Sequence, residues 1–184
     1  VAGSEGHAMT LRDLARRSFM IGGSLFVVAG FWLLHNGRLT LNASHSLPEP
    51  AYLMWAWPKV IWKGAVISAD PPAAYAARFD GLLFTKRVVG LPGDRIEHRD
   101  GAVCVAGECY PLALKDGAPF APALAEGVIP DGHYAAFGSS ADSLDSRYAT
   151  VGLFARETIR AVGVGTTLVP HWKELKAWAD AHGY

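Results

Sequence analysis

From Ser18 to Leu34 the chain runs through 17 residues, SFMIGGSLFVVAGFWLL, without one charge and without a polar face. At about 1.5 Å per residue a helix of this length spans roughly 26 Å, a little short of a ~30 Å hydrocarbon core. Arg16, Arg17 and Arg38 flank the run, and side chains of that length reach the interface and cover the difference. The pattern predicts a retained transmembrane anchor over 18–35. It exceeds the apolar region of a cleavable leader, and no convincing Ala-x-Ala site follows. Arg12, Arg16 and Arg17 on its amino-terminal side predict a cytoplasmic segment 1–17 and an exported domain 36–184. Arg16-Arg17-Ser18-Phe19 also carries a twin-arginine export pattern, a weaker reading of the same stretch.

Beyond the anchor the pattern changes. Short runs rich in Val, Ile, Phe and Tyr alternate with Gly and Pro turns: VIWKGAVISA, FTKRVVG, DRIEH, AVCVAGECYP, HYAAFG and IRAVGVGTTLV. Most are four to eight residues long, which predicts a mainly β domain of antiparallel strands. Helical spacing is confined to Pro72–Phe79 and to a short C-terminal helix over Trp172–His182. Residues 116–130, DGAPFAPALAEGVIP, read as a Pro/Ala-rich loop.

Composition narrows the function classes. With 17 basic and 17 acidic residues in 184 the formal net charge is zero, so no electrostatic footprint for nucleic acid is expected. The length allows one ordinary domain and an appendage. In Cys104-Val105-Ala106-Gly107-Glu108-Cys109 a two-residue turn at Ala106-Gly107 pairs Val105 with Glu108 and sets Cys104 opposite Cys109. An exported domain meets an oxidising compartment, so a Cys104–Cys109 disulfide is expected. Two cysteines with no histidine nearby do not make a zinc site, and no metal or organic cofactor is expected.

The opening for chemistry is Lys86, set in the apolar run LLFTKRVV. An ammonium is costly to bury unless it is paired or gives up its proton. Holding a lysine neutral near pH 7 takes roughly 4 kcal/mol of preference for the free amine, and burial beside Leu82, Phe84 and Val88 is one source of it. A neutral amine can activate a serine hydroxyl. Serines cluster at Ser44-His45-Ser46 and along Ser139-Ser140-Ala141-Asp142-Ser143-Leu144-Asp145-Ser146. Each cluster alone is weak, because loops are rich in serine and a Lys-Arg pair is usually solvated.

The order along the chain adds specificity. An anchor, then Ser44-His45-Ser46-Leu47-Pro48, then KRVVGLPGD from Lys86, then Ser143-Leu144-Asp145-Ser146-Arg147 resembles the type I signal peptidase family over roughly Ser44–Val169. The resemblance implies a signal-peptidase-like antiparallel β fold and a Ser-Lys endopeptidase. Ser46 would be the nucleophile and Lys86 the general base, with Ser44 joining the Ser46 N–H in the oxyanion hole. Ser143 would hydrogen-bond the lysine and Asp145 support that part of the site, while Arg87 and Arg147 would be structural charges. The implied location is the bacterial inner membrane, single-pass, with the catalytic domain on the periplasmic side. The implied partners are membrane lipid and an exported protein or pilin precursor.

Within the family, Ser46-Leu47-Pro48 followed by Tyr52 resembles the TraF-type branch that matures conjugative pilins, some members of which also join the pilin ends. Pro50 stands where that branch usually has Gly, and Gly138-Ser139-Ser140-Ala141 replaces the Gly-Asp-Asn-Arg of general leader peptidases. A general leader peptidase remains the alternative. So does a non-enzymatic anchored assembly factor, whereas a self-cleaving repressor would lack the anchor. His45, His98 and His133 are assigned no role, and His98 is expected at a turn in solvent. Leu47, Leu53, Phe84 and Val88 are the candidate walls of a substrate groove. Trp55, Trp57 and Trp62 are expected as an apolar rim in the membrane interface, with a place in the β core as the competing expectation.

Overall fold

The computed structural model describes residues 10–42 and 46–167, with residues 171, 174, 177, 178 and 181 beyond them. The chain divides into two compact units with the boundary at Gly37. Among the described residues the first is a single helix, α1 (Leu11–Asn36). It starts seven residues ahead of the charge-free run because Thr10 caps it. The Thr10 hydroxyl accepts from the Asp13 amide and the Asp13 carboxylate returns the bond to Thr10, satisfying two amides of the first turn. None of its side chains is buried, and it is long and apolar enough to cross a membrane.

The second unit is built from antiparallel strands. β1 (Gly37–Leu41), β2 (Ala51–Trp55), β3 (Val66–Ala69), β4 (Phe84–Gly90), β11 (His133–Phe137), β12 (Phe154–Ala155) and β13 (Ile159–Thr166) form one sheet in the order β1-β2-β13-β3-β4-β11-β12. β5 (Arg95–Arg99), β6 (Ala102–Val105), β7 (Glu108–Pro111) and β10 (Gly127–Val128) form a second, and β8 (Leu114–Lys115) with β9 (Ala118–Pro119) a small hairpin. The expected mainly β class holds. The β6–β7 register sets Cys104 against Cys109, with Ala106 and Gly107 both at positive φ in the turn, and the two cysteines form a disulfide.

Two apolar clusters lie on opposite faces of β4 and β11. Phe84 and Val88 from β4 join Tyr134 and Ala136 from β11 in one cluster, while Val89 joins Ala135 and Phe137 in the other. Gly90 lies where the second sheet closes in. A Cβ there would stand 2.5 Å from Val105 Cγ1 and 2.6 Å from Ile129 Cδ1.

Some expectations need correction. Val60–Ala65 is a loop, not the start of a strand. Pro72–Phe79 forms successive turns held mostly by i→i+3 bonds, such as Tyr75 N–H to the Pro72 carbonyl, rather than a helix. Tyr75 and Phe79 still use their spacing to pack their rings on Phe84. The loop expected at 116–130 contributes β9 and β10. The C-terminal helix expected over Trp172–His182 falls mostly outside the described residues.

Candidate active site

β4 presents Phe84, Lys86 and Val88 on one face, all buried, because alternate residues of a strand share a side. Lys86 Nζ donates to Ser143 Oγ at 2.9 Å and lies 5.8 Å from the centre of the Phe84 ring. Burial pushes its pKa down from 10.5 to about 8; Asp145 opposes that fall, Arg147 reinforces it and Asp142 opposes it. At pH 7 roughly a tenth of such an amine is neutral, against fewer than one in a thousand at the ordinary value. Leu82, expected to help bury the lysine, is exposed.

Ser143 sits on the loop that follows β11, and that loop is wound around one buried ion pair. Asp145, fully buried, accepts from Gly138 N–H (2.7 Å) and from Arg147 through its N–H (3.0 Å), Nε (2.9 Å) and Nη2 (2.7 Å). Arg147 also donates through Nη1 to the Pro111 carbonyl (3.0 Å) and through Nη2 to the Ser140 carbonyl (2.6 Å). Its pKa is raised despite burial, which works against the charge, because Asp145 holds the guanidinium. Arg147 is therefore a structural charge, as expected.

Ser46, half-buried in the loop before β2, is fixed through its carbonyl, which accepts from Ser139 N–H at 2.7 Å and from Ser139 Oγ at 3.3 Å. Gly138 fills the space between. A Cβ on it would stand 2.2 Å from Ser143 Oγ and 2.7 Å from the Ser46 carbonyl oxygen. Gly138 thus meets Ser143, which accepts from Lys86, and the Ser46 carbonyl, while its N–H reaches Asp145. Ser44 and His45 lie outside the described residues.

Sequence reasoning passed over Ser139, which appeared only as a departure from a family pattern, and Glu49, which pairs with Arg87. Of the candidate groove walls, Leu47, Phe84 and Val88 are buried in the core and only Leu53 is exposed. The apolar pattern that nominated them is the pattern of core positions. His98 is exposed, as expected, but lies in β5 rather than at a turn, and its Nε2 bonds the Leu124 carbonyl at 2.7 Å.

The sequence profile described as "Signal peptidase, peptidase S26" matches residues 11–172. The chain belongs to the signal peptidase family, peptidase S26, whose members are hydrolases. Among solved structures it is similar to a signal peptidase I from Enterococcus faecalis, with 21% identity, 59% of this chain and 98% of that chain covered, and a TM-score of 0.37. A search of curated proteins finds no match.

Proposed function

We propose that the protein is a membrane-anchored serine endopeptidase that removes leader or terminal peptides from exported proteins, with Ser46 as nucleophile and Lys86 as general base. The observation that carries this reading is the Lys86 amine: buried, oriented by Ser143 at 2.9 Å and brought down to about 8. In the free-amine form Lys86 takes the Ser46 Oγ proton as the oxygen attacks the scissile carbonyl. The Ser46 N–H and the Ser44 hydroxyl receive the oxyanion. Collapse breaks the C–N bond, and the leaving amine takes the proton from Lys86. A water, deprotonated in turn by Lys86, hydrolyses the acyl ester and frees Ser46. Attack by an amine of the substrate's own chain would instead close a ring and need no water.

The finer reading is a TraF-type peptidase maturing a conjugative pilin. Its support is the Ser46-Leu47-Pro48 run closed by Tyr52, whose buried ring sends its hydroxyl back to the Glu49 carbonyl at 3.4 Å. Membrane lipid is the second partner proposed. Trp57 and Val60 are 65% and 60% exposed and Trp62 37%, on a loop held by Lys59 Nζ to the Ile159 carbonyl and Arg156 Nη2 to the Lys59 carbonyl, both at 2.8 Å. Trp55 is half-buried and stacks on Trp62. Rings fixed in the open suit the headgroup region.

Mass spectrometry of exported pilin precursors from cells carrying the wild type, Ser46→Ala or Lys86→Arg tests the enzyme. Only the wild type should yield the trimmed product, linear or cyclic, since guanidinium cannot give up its proton. Normal processing with Ser46→Ala would leave a non-enzymatic assembly factor, and trimming of unrelated leaders a general leader peptidase.

A further inference from the structure

Three residues beyond Ser46, Glu49 forms an ion pair with Arg87, the residue next to Lys86 on β4. Arg87 points to the opposite side of the strand from Lys86, and its other arm donates to the Gly64 carbonyl at 3.0 Å. The second Glu49 oxygen is buried and, among the described residues, has no donor, so Arg87 alone holds that carboxylate. Space for the side chain comes from β13: a Cβ on Gly165 would stand 2.3 Å from Glu49 Cγ. Asn42 closes the base of the loop, its Nδ2 donating to the Leu47 and Glu49 carbonyls at 2.8 Å each.

The segment from Ser46 to Glu49 is therefore tied at both ends: Ser139 holds the Ser46 carbonyl, and Arg87 holds the Glu49 carboxylate while Asn42 holds the Leu47 and Glu49 carbonyls. Three residues span at most about 11 Å even when extended, so the Glu49 anchor limits how far Ser46 can move. We propose that Glu49 and Arg87 are a positioning pair that registers the nucleophile loop against the strand bearing the general base. The inference rests on the Ser46–Lys86 reading above and adds to it the device that aligns the two. A misplacement of about 1 Å can lower a rate by about a hundredfold, and the pair acts on that distance rather than on substrate binding.

The test uses the full chain in detergent, a precursor peptide as substrate, and Glu49→Gln, Arg87→Gln, their double variant, Arg87→Lys and Gly165→Ala. Each glutamine variant should lower kcat by about tenfold or more with KM within about twofold. The double variant should lose no more than the worse single one, and Arg87→Lys should recover most of the rate. Gly165→Ala displaces Glu49 without touching either charge and should reproduce the loss. The charges that move Lys86 are Asp145, Arg147 and Asp142, so the midpoint of the pH profile should stay in place. A kcat within about twofold of wild type in both single variants, losses that multiply in the double, or a moved midpoint would overturn the proposal. If the glutamine variants do not fold, Glu49→Asp carries the test, since it keeps the charge and withdraws it by one methylene. A lower kcat at unchanged Tm supports the pair and an unchanged kcat overturns it. Cleavage that survives Ser46→Ala sinks the Ser-Lys reading itself, whatever the pair does.

Discussion

Gly138 and Ser143 approach so closely that a methyl group on the glycine would stand 2.2 Å from the serine hydroxyl and 2.6 Å from its Cβ. The Ser46 carbonyl closes the other side at 2.7 Å. Neither neighbour is the loose end of a long side chain. Gly138→Ala must therefore move Ser143 away from Lys86 or Ser46 away from both. Cleavage should fall by about a hundredfold, with Tm lowered by only a few degrees. Near-normal cleavage by a folded Gly138→Ala protein would mean that this contact does not hold the site together.

The pH dependence follows from Lys86. Activity should rise with pH and level off above about 8, as the amine sheds the proton that burial disfavours. Stability moves the same way. Unfolded, the lysine keeps its proton up to about 10.4; folded, it releases it from about 8. Between those values the unfolded chain binds more protons, so stability climbs with pH, and below about 8 this contribution is flat. Lys86→Met should abolish cleavage and flatten that climb in denaturation curves taken across the alkaline range.

Asp145→Asn separates structure from chemistry in the ion pair. Arg147, 2% exposed, would lose its counter-charge and remain buried. A broken buried pair costs about 3–5 kcal/mol, which chemical denaturation will register as an earlier midpoint. The double variant Asp145→Asn/Arg147→Met should regain part of that loss while cleavage stays low, because the Gly138 N–H loses its carboxylate partner in both.

The rim proposed on the loop before β3 can be read by fluorescence. With the full chain in vesicles of brominated lipid, wild type should be quenched more than Trp57→Phe or Trp62→Phe. Equal quenching in all three would remove these rings from the interface.

Strand chemistry was legible where it is local. The β4 run, the Cys104–Cys109 pairing and the lysine set among apolar residues all follow from short patterns, and the structure has them where the patterns put them. What escaped depends on contacts between distant residues. Ser139 clamps Ser46 across 93 positions and Glu49 meets Arg87 across 38, and no local spacing encodes either. The groove walls failed for a related reason. An apolar residue beside a catalytic candidate looks the same in sequence whether it faces a substrate or the core, and Leu47, Phe84 and Val88 face the core. The turns at 73–81 misled because Tyr75 and Phe79 have helical spacing but serve a packing contact on Phe84.

Burial of β4 on both faces also fixes an order of assembly. Val88 belongs to one core and Val89 to the other, so neither core can close until β4 has found β11. These two strands are separated by more than 40 residues of chain, and closing a loop of that length comes before any reward from packing. Pairing of the lysine-bearing strand with β11 is thus expected to limit the rate of folding. Val88→Ala and Val89→Ala should slow refolding more than they speed unfolding, whereas Tyr110→Ala, on the edge strand β7, should do the reverse. Stopped-flow refolding and unfolding rates of the three variants measure that difference, and they would show whether the positions nearest the chemistry are also the first that the chain commits to.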